Sequence, residues 1–119
     1  MKKNVVKEKS LDFAVRIVKL CRYLSSNKKE FIMSKQLLRS GTSVGAMIRE
    51  SEHAESKADF IHKLAIAQKE SNETLYWLEL LKKTNYLDKS EYESINSDAT
   101  EIIKLLTKII VTSRNNIKS

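Results

Sequence analysis

Apolar side chains recur along this chain in steps of four and three, the period of one face of an α-helix. Phe13, Ile17, Leu20 and Leu24 form the first run, widened by Ala14, Val18 and Cys21. Leu37, Gly41, Val44 and Ile48 form the second, and Phe60, Leu64, Ala67, Ser71, Thr74, Leu78 and Leu81 the third. Tyr92, Ile95, Ala99, Ile102, Leu106 and Ile109 make the fourth. Ser25-Ser-Asn-Lys-Lys-Glu30 and Asn85-Tyr-Leu-Asp88 have the polar, turn-prone composition of connections. Ser34 is placed to cap the second helix, and Ser56-Lys-Ala-Asp59 matches the capping pattern that opens the third. No segment alternates with period two. The pattern predicts helices over 10–25, 34–54, 57–84 and 88–115, folded as a single all-α domain, 1–119, in an antiparallel up-and-down four-helix bundle.

The chain has no proline and two glycines, Gly41 and Gly45, both inside the second helix. A glycine in a helix interior costs about 1 kcal/mol relative to alanine, so two on one face point to close packing by a neighbour. The expected neighbour is the third helix, with Gly41, Val44 and Gly45 set against Ala67, Ser71 and Leu78. In the fourth helix Ile102, Ile103, Leu105, Leu106, Ile109 and Ile110 cover an arc of about 160° at 100° per residue, wider than one seam requires. The surplus points to self-association, unless one broad core absorbs it.

Composition places the chain among ordinary globular domains, at 41% hydrophobic and 31% charged residues. Apolar stretches such as Ile109-Ile-Val111 are far too short to span a membrane, so no membrane association is expected and the cytoplasm is the default compartment. Cys21, the single cysteine, falls on the apolar face with Ile17 and Leu24 and reads as core rather than nucleophile.

Charge changes the picture more by its distribution than by its net value of +7. Residues 1–49 carry +9, residues 50–101 carry −6 and residues 102–119 carry +4. In an up-down bundle the first and fourth helices are neighbours, which would bring Arg16, Lys19, Arg22, Lys104, Lys108 and Arg114 onto one continuous basic surface suited to phosphate backbones. The same segregation suits mating between subunits, or a solvated lysine face. Nothing in the pattern reads base sequence.

Catalytic chemistry finds little support. Glu50-Ser-Glu-His53 and Asp59-Phe-Ile-His62 have the i,i+3 spacing of metal-binding bundles, but His62 lies about 200° round from Phe60 and faces outward. No nucleophile motif, phosphate-cradling glycine loop or zinc spacing is present, so no catalytic residue, metal or cofactor is expected.

Across Arg39-Ser-Gly-Thr-Ser-Val-Gly-Ala-Met-Ile-Arg-Glu50, Ala54-Glu-Ser-Lys-Ala-Asp-Phe-Ile-His-Lys-Leu-Ala-Ile-Ala-Gln-Lys-Glu70 and Glu73-Thr-Leu-Tyr-Trp-Leu-Glu-Leu-Leu81 the chain resembles the four-helix bundle proteins of the 23S rRNA-intervening-sequence family. Many relatives have Asn where Met47 stands, so no polar contact is carried over to that position. The resemblance implies a small bacterial bundle without established enzymatic activity, in a family whose name records gene location. A related branch, the accessory proteins of diversity-generating retroelements, implies a homopentamer that engages a reverse transcriptase and binds nucleic acid. Two roles follow as expectations: an oligomeric accessory protein bound to RNA or DNA, or a protein-interaction scaffold whose basic surface meets a reverse transcriptase or other acidic protein.

Overall fold

The computed structural model describes residues 2–118, with side-chain environments for residues 5–116. Four helices follow one another: α1 (Lys2–Asn27), α2 (Met33–Ser51), α3 (Lys57–Lys83) and α4 (Lys89–Lys118). Their registers run in opposite senses at each contact. Ser10 and Ile17 of α1 face Gly45 and Gly41 of α2. Lys63 of α3 reaches Glu50 of α2 while Thr74 meets Ser40. Gln68 pairs with Thr107 while Lys82 lies over the Tyr92 ring, and Lys9 pairs with Glu101 while Arg16 reaches Glu91 and Asp98. The result is an antiparallel up-and-down bundle measuring 51 × 22 × 20 Å.

The sequence seams form the core. Phe13, Ile17, Leu20 and Leu24 are buried with Leu37, Val44 and Ile48, and with Leu64, Ala67, Leu78 and Leu81. Ile95, Ala99, Ile102, Leu106 and Ile110 close it from α4. Cys21 is buried as expected, its Sγ donating to the Ser34 carbonyl at 3.2 Å. Burial, reinforced by the Glu30 charge, pushes this thiol up to about 11, far from any thiolate chemistry. α1 begins about two turns before the predicted start at residue 10, and those turns bury Val6 and Ser10 in the same four-three rhythm. In α3 the buried position at the N-terminal end is Ile61, with Phe60 only half buried beside the core.

The glycine pair meets a different helix from the one predicted. A Cβ on Gly41 would lie 2.9 Å from Cγ1 and Cγ2 of Ile17, and one on Gly45 would lie 3.4 Å from Ser10 Oγ. Both glycines therefore admit α1, not α3. α2 touches two neighbours at once, and the glycine stripe lies on its α1 flank. The α3 flank is held instead by hydroxyls: Ser40 and Thr74, both fully buried, share a hydrogen bond of 3.0 Å. Buried Ser10, Ser51, Ser71 and Thr74 each donate to a carbonyl of their own helix, at 2.6–2.9 Å, so these small polar groups thin the seams without an unmet hydrogen bond. Among the described residues no buried side-chain nitrogen or oxygen lacks a partner.

Helix caps depart from the sequence reading at one place. Ser56 caps α3, accepting from the Asp59 amide at 3.0 Å, and Asp88 caps α4, accepting from the Glu91 amide at 2.8 Å. Ser34, by contrast, lies inside α2 and donates its hydroxyl to the Glu30 carbonyl. The start of α2 is satisfied by the Glu30 carboxylate, which accepts from the amides of Ile32 (3.1 Å), Met33 (3.0 Å) and Ser34 (2.7 Å). A carboxylate outranks a hydroxyl here because it takes three orphan donors and lies at the positive end of the helix dipole.

The broad apolar arc of α4 is largely absorbed. Ile102, Leu106 and Ile110 are buried, Leu105 and Ile109 pack against the core and Ile103 is half buried. Unpartnered apolar surface lies mainly elsewhere, on Leu11 and Val15 of α1, Leu38 of α2 and Phe31 and Ile32 between them.

Candidate nucleic-acid interface

The six predicted phosphate contacts do not form one surface. Arg16 is occupied: its guanidinium donates to Asp98 at 2.9 Å, to Ser94 Oγ at 2.8 Å and to Glu91 at 3.3 Å. Lys9 is held by Glu101 at 3.2 Å. The acidic first half of α4 thus lies against the basic helix, because an antiparallel neighbour brings the start of α4 beside the end of α1. Arg22 lies on the opposite flank of α1, in a groove with Val18, Phe31, Lys35 and Leu38 of the α2 side. Lys19 remains on the α4 flank, exposed and without an ion-pair partner among the described residues. Lys104, Lys108 and Arg114 are likewise exposed and unpaired, but beyond Glu101 toward the chain termini. At 1.5 Å per residue, Lys104 stands roughly 20 Å along the bundle from Lys19.

A second grouping, missed in the sequence reading, is built by topology. In an up-down bundle the first and third connections share one end. This end carries Lys28 and Lys29 from the α1–α2 connection, Lys82 and Lys83 from the end of α3, and Lys89 at the start of α4, with Lys19 and Arg22 close behind. Lys82 stands 4.9 Å from the Tyr92 ring centroid, Lys28 stands 6.0 Å from that of Tyr23, and Lys89 pairs loosely with Glu93 at 3.8 Å. Of the acidic residues here, Glu30 and Asp88 cap helices and Glu91 holds Arg16, while Glu79, one turn before Lys83, is exposed. Burial alone would raise the Glu30 carboxyl, but the amides of Met33, Ser34 and Ile32 outweigh it and hold it below the ordinary carboxylate range. It is therefore an anion at neutral pH, enclosed by its own helix end. What faces solvent is a lysine-rich pole whose signal in the sequence is two Lys-Lys pairs, 28–29 and 82–83, at connections of the same parity.

Two backbone positions shape this pole. Lys29 has φ 55° and Asn85 has φ 69°, left-handed residues that turn the chain out of α1 and α3. Asn85 forms the Schellman arrangement, with Tyr86 N donating to Leu81 O at 2.9 Å and Asn85 N to Lys82 O at 3.1 Å.

At the other end the paired-ligand motifs hold no common centre. Glu50 faces Lys63 at 3.4 Å, Asp59 accepts from the Glu55 amide at 3.1 Å, and His53 and His62 are exposed. Among the described residues no three His, Cys, Asp or Glu side chains converge as a metal site, and no helix is long and apolar enough to cross a membrane.

With this geometry the comparison with known proteins is specific in fold and reticent on role. The sequence pattern of the 23S rRNA-intervening sequence protein family matches residues 2–108. The chain belongs to this family. A crystal structure of a protein of unknown function from the S23 ribosomal protein family of Bacteroides thetaiotaomicron is similar at 66% identity, covering 92% of this chain and 98% of that one, with a TM-score of 0.92. No curated protein matches. At that identity the 23S rRNA-intervening sequence bundle is shared along nearly its whole length, including the helices that carry the pole.

Proposed function

We propose that this chain is a non-catalytic, cytoplasmic accessory protein that self-associates and holds the phosphate backbone of RNA or DNA at its lysine-rich pole. The observation that carries the reading is the pole itself: Lys28, Lys29, Lys82 and Lys83 project from one end of the bundle while Glu30, Asp88 and Glu91 at that end are engaged in caps and an ion pair. Phosphate contacts of this kind release counterions, so affinity falls with salt at a slope near −0.9 per contact on duplex DNA. Fluorescence anisotropy with a labelled duplex between about 50 and 200 mM salt is expected to lose roughly tenfold or more in affinity. Exchanging Lys28, Lys29 and Lys83 for glutamate is expected to flatten the slope by about 3. Binding that ignores salt, or the triple variant, overturns the reading. Lys104, Lys108 and Arg114 form a separate patch and are each expected to be individually dispensable.

The scaffold reading keeps one specific support, the outward apolar surface of Leu11, Val15, Phe31 and Leu38. We assign this surface to contacts between copies, as a homopentamer, with an acidic protein such as a reverse transcriptase as the alternative occupant. Multi-angle light scattering is expected to give five copies in solution, and replacing Leu11 and Leu38 with glutamate is expected to give one. A monomeric wild type moves the surface to a different partner.

A further inference from the structure

Between the ends of α1 and α4 lies a cleft of about 540 Å³ that opens at the same pole. Its floor is apolar, made by Leu20 and Leu87, which are both buried. Its walls carry two phenol rings, Tyr23 and Tyr86, and one ammonium, Lys19. The other charged groups at its rim are hydrogen-bonded: Asp88 accepts the Glu91 amide, and Glu91 pairs with the Arg16 guanidinium. The cleft offers an apolar floor, aromatic faces and, in Lys19, a cation without an ion-pair partner among the described residues. A cleft of this size, with an apolar floor and polar groups converging at its rim, has the make-up of a ligand site.

The chemistry that fits is a flat aromatic ring carrying a negative charge one bond system away. We propose that this cleft takes one unpaired nucleotide of a single strand, its base against Tyr23 and Tyr86 and its phosphate on Lys19. The inference rests on the phosphate-binding pole proposed above and adds to it a preference for unpaired strands. Lysines along the pole would track the flanking phosphates, while the rings supply stacking that every base can use. A duplex base stays stacked inside its helix and reaches such a cleft only after flipping out, which costs a few kcal/mol. Duplexes are thus left to the lysines alone.

The test is anisotropy with a labelled 12-nucleotide single-stranded RNA and the matching duplex, measured on wild type, Tyr23→Leu and Tyr23→Phe. Tyr23 is 43% exposed, so its exchange leaves the core intact. Tyr23→Leu is expected to weaken single-strand binding about tenfold while changing duplex binding less than twofold, and Tyr23→Phe is expected to keep wild-type affinity for both. An equal loss on both forms, or no loss on either, overturns the cleft and leaves the pole standing. A wild type that binds neither form removes the pole and the cleft together. Adenosine monophosphate as competitor separates the two sources of a nucleotide: displacement only at a large excess supports a strand, and displacement at the strand's own affinity overturns it in favour of a free nucleotide.

Discussion

Gly41→Ala is expected to destabilise the protein by about 1–2 kcal/mol, and Gly45→Ala, four residues on, is expected to stabilise it by up to about 1 kcal/mol. The two substitutions make the same change in the same helix, and each removes the penalty of a helical glycine, about 1 kcal/mol. They differ in what the new methyl meets. At Gly41 it falls 2.9 Å from two carbons of Ile17, a fully buried side chain whose Cγ atoms are fixed to its Cβ and have nowhere to move. Overpacking of this kind costs about 1–3 kcal/mol and exceeds the propensity gain. At Gly45 the nearest atom is Ser10 Oγ at 3.4 Å, an ordinary contact, so the propensity gain survives. Chemical denaturation of the two variants reads the sign directly. A double-mutant cycle with Ile17→Ala locates the cause: the second substitution is expected to cost at least about 1 kcal/mol less in the Gly41→Ala background than in wild type, because it removes the atoms that clash. Wild-type stability in Gly41→Ala would mean that α1 and α2 are not this close.

The fate of the glycine pair shows what periodicity carries and what it does not. A four-three rhythm identifies the buried face of a helix, and the four buried faces of this bundle were legible from Phe13 to Leu106. It does not say which neighbour a given flank of that face meets, since every helix of a four-helix bundle touches two. Gly41 and Ser40 are adjacent in sequence yet serve different partners, Ile17 of α1 and Thr74 of α3. Charge was misread for a related reason. Net charge per segment predicted one continuous basic surface across the first and fourth helices, but antiparallel register sets Glu91, Asp98 and Glu101 directly against Arg16 and Lys9. The lysine pole was available to a topological reading, because loop parity alone brings residues 28–29 and 82–83 to one end. The tyrosine cleft was not, since Tyr23 and Tyr86 are 63 positions apart and only the close of α1 against α4 makes them walls of one space.

Glu30 is the residue on which the pole depends. Glu30→Ala is expected to lower stability by about 2–3 kcal/mol, beyond the usual cost of losing a helix cap, because three amides at the start of α2 lose a charged acceptor together. Glu30→Gln, which keeps an oxygen but not the charge, is expected to lose about 1 kcal/mol. The difference between wild type and Glu30→Gln has a pH signature of fixed sign. The folded carboxyl lies below its ordinary value, so its contribution is fully present above the unfolded pKa, about 4.3, and is lost as pH falls through the folded one. Denaturation midpoints measured from pH 7 to pH 3 are therefore expected to stay separated down to about pH 5 and to converge in acid. A gap that widens in acid would mean that the amides do not hold the anion. The same carboxylate also fixes the path between Lys29, with its left-handed backbone, and Ile32, which is how Lys28 and Lys29 are held at the end of the bundle that also carries Lys82 and Lys83. Nucleic-acid affinity of Glu30→Gln at neutral pH is accordingly expected to fall by a few-fold even where the bundle remains fully folded, and unchanged affinity would show that the pole works as loose charge rather than as a placed surface.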